Sequence, residues 1–299
     1  MPVPAAMSEF ATNYAQITEI RARHPHRIRE LLTARVRRAL LPADGRLMII
    51  ACDHPARGAL AVRGRPEAMS SRTDLLDRLR EALSRPGVDG ILATADIAED
   101  LLLLGALENK VVISSMNRGG LAGAMFELDD RMTAYDVRGT LDARFEGAKM
   151  LARIDFDDPA SVSTLQACAQ AVTDLNRAEL VAMVEPFICR HVDGKVVNDL
   201  SPAAVIRSIH IAQGLGASSA YTWLKLPVVP DMARVMDATT LPTLLLGGDQ
   251  AGPAEDLYAQ WSQALSLPSV RGLIVGRTML YPADDDVAMA VDTAVSLVR

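Results

Sequence analysis

The chain has 299 residues, 49% of them hydrophobic and 23% charged, a balance that suits a soluble globular protein of one large domain or two ordinary ones. Its net charge of -6 argues against a nucleic-acid surface. No apolar run is long enough to span a bilayer and no leader is evident, so a cytoplasmic protein without a membrane anchor is expected. Cys52, Cys168 and Cys189 lie far apart without C-x-x-C spacing, which supports neither a disulfide framework nor a zinc cluster.

In chain order, residues 1–45 read as an N-terminal helical extension and 46–299 as one domain. The extension contains "RARHPHRIRELLTARVRR", with seven arginines between positions 21 and 38. Such a stretch either meets an anionic partner or is a solvated helix covering the closed end of the domain or a subunit contact. The acidic whole favours the latter.

Eight apolar, β-branched runs follow: 46–53, 88–95, 110–116, 148–155, 179–186, 220–226, 242–248 and 270–276. Between them lie segments such as 72–83, 161–178 and 202–216, with apolar residues at i, i+3, i+4 and i+7. Strand then helix, repeated in this way, predicts an α/β fold, a parallel sheet closed into a (β/α)8 TIM barrel. A doubly wound open sheet is the alternative, although no G-x-G-x-x-G follows the first run.

In a barrel of this kind, chemistry belongs to the carboxyl ends of the strands. The first strand ends on Asp53, with His54, Arg57 and Gly58 in the next turn. Asp53 either caps the following helix or faces the mouth. The fourth strand carries Lys149. The fifth ends "MVEPF", placing Glu185 at the top as a catalytic or a structural carboxylate, with Pro186 fixing the turn. In the sixth, "AYTWLKL", alternation puts Tyr221, Trp223 and Lys225 on one face, opposite Thr222, Leu224 and Leu226. The leucines suit the helix-packed exterior, so Lys225 is expected to point into the barrel near its mouth. "LLLGGDQ" and "LIVGRTM" end the last two strands, and Gly247, Gly248, Gly276 and Arg277 together would form a phosphate cup.

Only four of the 31 basic residues are lysines: Lys110, Lys149, Lys195 and Lys225. A lysine can lose its proton when desolvated and an arginine cannot, so a lysine in an apolar strand calls for a reason. Lys225 must snorkel outward, be paired, or be neutral. The reading adopted here is the last. An unprotonated amine attacks a carbonyl, and the resulting iminium draws electrons from the adjacent C–C bond, which cleaves a ketose without metal or flavin. Lys149 could supply the cation that favours the neutral amine, and Glu185 the proton transfers. No cofactor or metal is therefore expected. His24 and His26 lie in the extension, His191 in an expected loop and His210 in a helix, which leaves His54 alone near the mouth and no three-histidine zinc site.

These strand ends resemble, in order, those of class I aldolases of the DeoC/FbaB/LacD family, nearest the tagatose-bisphosphate and sulfofructose-phosphate aldolase branch. The resemblance covers about residue 46 to the C-terminus and rests on "CDHPARGAL", "GAKMLARID", "MVEPF", "WLKLPVV" and "VGRTML". It implies that Lys225 forms the Schiff base and Glu185 is the acid/base, with Asp53 and Lys149 assisting. It also implies that Gly248, Gly276 and Arg277 hold a substrate phosphate. The substrate it implies is a phosphorylated ketose or keto-sugar acid, split into dihydroxyacetone phosphate and an aldehyde. A similar actinobacterial group implies 2-deoxy-5-keto-gluconate 6-phosphate. The "DHPARG" turn is two residues longer than the family's, so the resemblance does not fix Arg57 at the usual place. Self-association into a homo-oligomer is expected. The competing expectation is a noncatalytic barrel that binds a sugar phosphate.

Overall fold

The computed structural model describes residues 10–247 and 254–299. Its strands are β1 (Leu47–Cys52), β2 (Gly90–Ala93), β3 (Val111–Ser115), β4 (Gly147–Ile154), β5 (Val181–Val192), β6 (Lys195–Asn198), β7 (Thr222–Pro227), β8 (Thr243–Leu246) and β9 (Val270–Val275). All but β6 correspond to the runs read from sequence. They pair in parallel in the order β1-β2-β3-β4-β5-β7-β8-β9, and β9 returns to β1. The ring is closed, so the fold is a (β/α)8 barrel rather than an open sheet.

The extension carries α1 (Tyr14–Arg23) and α2 (His26–Ala34). The crossovers carry α3 (Arg72–Ser84), α4 (Ala95–Leu103), α5 (Val137–Asp142), α6 (Ala160–Arg177), α7 (Pro202–Gln213), α8 (Met232–Met236) and α9 (Ala254–Leu265), and α10 (Arg277–Leu280) and α11 (Val287–Val298) follow the last strand. Local chemistry sets these boundaries. Ser201, for example, accepts from the Ala204 N–H at 3.3 Å, and Pro202 opens α7 where its missing N–H costs nothing.

β5 overruns its expected end. Its pairing with β7 stops at Val184, whereas its pairing with β4 continues through Pro186 to Ile188. Pro186 thus sits where one edge of the strand is already free, a position a proline tolerates. Beyond it the chain folds back as an antiparallel β5–β6 hairpin, so His191 is on a strand, not in a loop.

Alternation divides the strand residues between two cores. Met48, Ile50, Leu224 and Leu226 pack outward against helices, while Leu47, Ile49, Ala51, Ile113, Met183 and Trp223 fill the barrel. Leu40, from the extension, packs against this inner cluster.

The arginines of the extension are used on the protein itself. Asp89, just before β2, accepts from the Met48 N–H at 2.7 Å, from Arg38 at 2.8 Å and from the C-terminal Arg299 at 2.6 Å. Glu146, just before β4, accepts from the Val112 N–H at 2.7 Å and from Arg37 at 2.8 Å, with Arg35 at 3.4 Å. Arg21 spans Glu99 and Asp100, both at 2.8 Å. Asp89 and Glu146, at the amino ends of strands, fasten the extension across the end of the barrel opposite the strands' carboxyl termini. The expected single helical stretch is broken at Pro25 and ends at Ala34.

Candidate active site

The inner apolar layers stop one pleat below the mouth, and the next inward residue of five strands is polar. Above Ala51 comes Asp53, above Ile113 Ser115, above Gly147 Lys149, above Met183 Glu185, and above Trp223 Lys225. The β5–β7 register sets Met183 opposite Trp223, so Glu185 and Lys225 stand side by side two residues later. A period-two strand converts this sequence spacing into one polar floor.

The floor is a continuous chain of ion pairs. Lys225 Nζ lies 3.0 Å from Glu185 Oε1, and Lys149 Nζ lies 2.9 Å from Glu185 Oε2 and 2.7 Å from Asp53 Oδ2. Arg118 Nη1 approaches Asp53 Oδ2 at 3.2 Å, and Ser115 Oγ donates to the same oxygen at 2.8 Å. The Lys149 and Lys225 side chains are 1% and 3% exposed, so neither snorkels. Lys225, expected as a neutral amine with Glu185 as its proton carrier, is paired with that carboxylate, because the register places the two side by side. Lys149 reaches Lys225 through the shared carboxylate rather than acting as a free neighbouring cation.

Burial alone would raise both carboxylates. Arg118, Lys149 and Lys225 overcome burial at Asp53 and hold it well below the usual carboxylate range. Burial is likewise outweighed at Glu185 by Lys149 and Lys225, which bring it to about 2. Lys149 is lowered, first by burial and then by Arg118, against the pull of Asp53 and Glu185. Burial, with Arg277 and Lys225 adding to it, holds His54 well below the ordinary histidine value and therefore neutral.

Above this floor opens a cavity of about 500 Å³. Asp53, Lys149, Glu185 and Lys225 line it, as do the binding candidates Arg57, Gly247, Gly276 and Arg277. Gly248 lies outside the described residues. Gly276 has no room for a side chain, since a Cβ there would meet the Ala51 carbonyl oxygen at 2.1 Å. Tyr221 precedes β7 and is not among the lining residues.

Sequence reading missed Arg118 and Arg153, which form an arginine cluster with Arg57 on the other side of the mouth. Arg57 donates to Gly120 O at 2.7 Å and to Glu127 at 2.9 Å, and Arg153 donates to Glu127 O at 2.6 Å. Burial, with Arg153 and Arg118 adding to it, lowers Arg57 to about 10. Arg153 follows Lys149 at two strand repeats, a signal the alternation already held. Arg118 had no such signal. Its loop is fixed by Asn117, whose amide donates to Leu151 O at 2.6 Å and accepts from Leu151 N–H at 2.7 Å, extending the β3–β4 ladder with a side chain.

The crystal structure of Cgl0159 from Corynebacterium glutamicum is 52% identical and superposes with a TM-score of 0.93, over 99% of each chain. A Schiff-base-forming fructose-1,6-bisphosphate aldolase is 20% identical, with a TM-score of 0.62 over 91% of this chain and 100% of that one. An archaeal fructose-1,6-bisphosphate aldolase, solved with its catalytic lysine covalently bound to the carbinolamine intermediate, is 18% identical, with a TM-score of 0.62 over 91% and 99%. At those identities the two aldolases share the barrel fold with this chain. No curated protein matches it. The Cgl0159-like family model matches residues 45–295, nearly the whole barrel, and the chain belongs to the Cgl0159-like family.

Proposed function

We propose that this protein is a class I aldolase that cleaves or forms a C–C bond in a phosphorylated ketose or keto-sugar acid through a Schiff base on Lys225. The observation that carries the reading is a lysine buried at the barrel mouth, 3.0 Å from a carboxylate that a second lysine also holds. The strand-end resemblance to the tagatose-bisphosphate and sulfofructose-phosphate branch supports it. So does the fold shared with aldolases that form the same kind of adduct.

Charge counting in the floor gives the first step. Lys149 and Arg118 already match Asp53 and Glu185, so the proton on Lys225 is the surplus charge. Its transfer to Glu185 is uphill, since the two lysines hold that carboxylate at about 2, and gives a transient amine and carboxylic acid in contact. The amine adds to the substrate ketone, and the carbinolamine loses its hydroxyl as water on taking that proton, which restores the Glu185 carboxylate beside the new iminium. The carboxylate then accepts the proton of the substrate hydroxyl as the C–C bond breaks and the aldehyde leaves. The enamine left behind is protonated and hydrolysed to free dihydroxyacetone phosphate. Asp53 holds Lys149, and Lys149 holds Glu185, so both keep the proton carrier in place. Gly247, Gly276 and Arg277 would receive the phosphate, together with Gly248, and Arg57 would reach the substrate from the opposite side.

In this reading the protein is cytoplasmic, needs no cofactor and works as a homo-oligomer. Among the described residues no helix is long and apolar enough to cross a membrane. 2-Deoxy-5-keto-gluconate 6-phosphate is one substrate that fits the class. Borohydride reduction in the presence of ketose phosphates tests the proposal by fixing the iminium as a stable amine.

A further inference from the structure

In the eight-membered ring of strands, the gap between β3 and β4 lies diametrically opposite the gap between β8 and β9. The glycine turns follow β8 and β9. Arg118 follows β3 and Arg153 closes β4, and both line the cavity while their side chains are only 5% exposed. Arg57 joins them from the turn after β1.

The carboxylates beside this trio are engaged but do not saturate it. Glu127 is shared by Arg57 and Arg153 and also accepts from the Gly123 N–H at 2.8 Å. Asp130 lies 3.9 Å from Arg153, and Asp53 takes Nη1 of Arg118. Among the described residues, Arg118 Nη2 and Arg153 Nε have no hydrogen-bond partner although both are buried. A buried guanidinium N–H without an acceptor is costly, and a guanidinium presents its donors in a fork that matches an oxyanion.

We propose that Arg118 and Arg153, held in position by Asp53 and Glu127, bind a second oxyanion of the substrate, a carboxylate or a phosphate, at the end remote from the glycine turns. This rests on the reading of those turns as a phosphate site and narrows the substrate to an open-chain sugar derivative with an anion at each end. The floor of Lys225 and Glu185 then lies beneath the middle of the chain, where the bond is broken.

Calorimetric titration with three alditol-type probes tests this without Schiff-base chemistry, because none contains a ketone. Glucitol 6-phosphate carries one anionic end, glucitol 1,6-bisphosphate two phosphates, and 6-phosphogluconate a phosphate and a carboxylate. The native protein is expected to bind one of the two-ended probes about tenfold or more tighter than glucitol 6-phosphate. Whichever gains most names the anion. In Arg153→Gln and Arg118→Gln the ratio should fall to about one, and Arg153→Lys should recover part of it. Glucitol 6-phosphate binding with equal affinities for all three probes overturns the second subsite alone. Failure of every probe to bind overturns the phosphate reading with it. A gain that survives in both glutamine variants also overturns the assignment, and if a variant does not fold the native ratio still decides.

Discussion

Lys149 and Lys225 hold opposite oxygens of the Glu185 carboxylate, at 2.9 and 3.0 Å. They come from β4 and β7, the two strands that flank β5, so one side chain on the central strand orders both amines. Lys149 is also tied to Asp53 at 2.7 Å, whereas among the described residues Lys225 pairs with Glu185 alone. This asymmetry is the geometric reason for which Lys225, rather than Lys149, is proposed as the nucleophile.

Replacing Glu185 with glutamine keeps the shape and removes the group proposed to carry the proton. Turnover in Glu185→Gln is expected to fall by about 10²–10⁴-fold, with a much smaller change in KM. Steady-state kinetics on a ketose phosphate checks this, and a loss of only a few-fold would show that the carboxylate is structural.

The same network links stability to acid. Glu185 lies at about 2 in the folded protein, against about 4.3 for an unperturbed glutamate in the unfolded chain, and Asp53 is lowered as well. A depressed carboxylate stabilises the fold fully above its unfolded value and loses that contribution as pH falls towards the folded one. Tm should therefore hold down to about pH 4.5 and fall steeply between about pH 4 and pH 2. In Glu185→Gln that fall should be shallower, as followed by circular dichroism melts.

Asp89 offers a contrasting test at the opposite end of the barrel. Its side chain is 3% exposed and accepts from Met48 N–H, Arg38 and Arg299. Asp89→Ala should cost about 2 kcal/mol, because it removes the side-chain acceptor of the buried Met48 N–H and a shared partner of Arg38 and Arg299. Urea denaturation measures the loss. Activity below the melting transition should stay within about two-fold, since the site lies at the other end of the strands.

Gly276→Ala probes the phosphate turn. The added methyl would meet the Ala51 carbonyl at 2.1 Å, so the turn or the end of β1, which carries Asp53, must move. KM for a phosphorylated substrate should rise about ten-fold or more, with roughly 1–3 kcal/mol lost in stability. An unchanged KM would remove Gly276 from the substrate site.

The barrel was legible because β-branched runs and 3.6-period segments alternate along the chain, and alternation within "AYTWLKL" correctly turned Trp223 inward and Leu224 and Leu226 outward. Three features were not. The β5–β6 hairpin hides behind Pro186, which reads as a terminator unless one knows that β7 has already stopped pairing. The arginine cluster depends on Arg118 and Glu127, which sit in the loop between β3 and β4, where no periodicity states which way a side chain points. The pairing of Lys225 also needed the β5–β7 register, which a single strand's sequence does not contain.

The central claim is tested most directly by intact-mass spectrometry after borohydride reduction with a panel of ketose phosphates. A retained fragment should appear as one covalent adduct per chain, mapping to Lys225 in peptide analysis and absent from Lys225→Ala. An adduct that persists in Lys225→Ala, or a folded native protein that gains no mass with any ketose phosphate, would contradict the account.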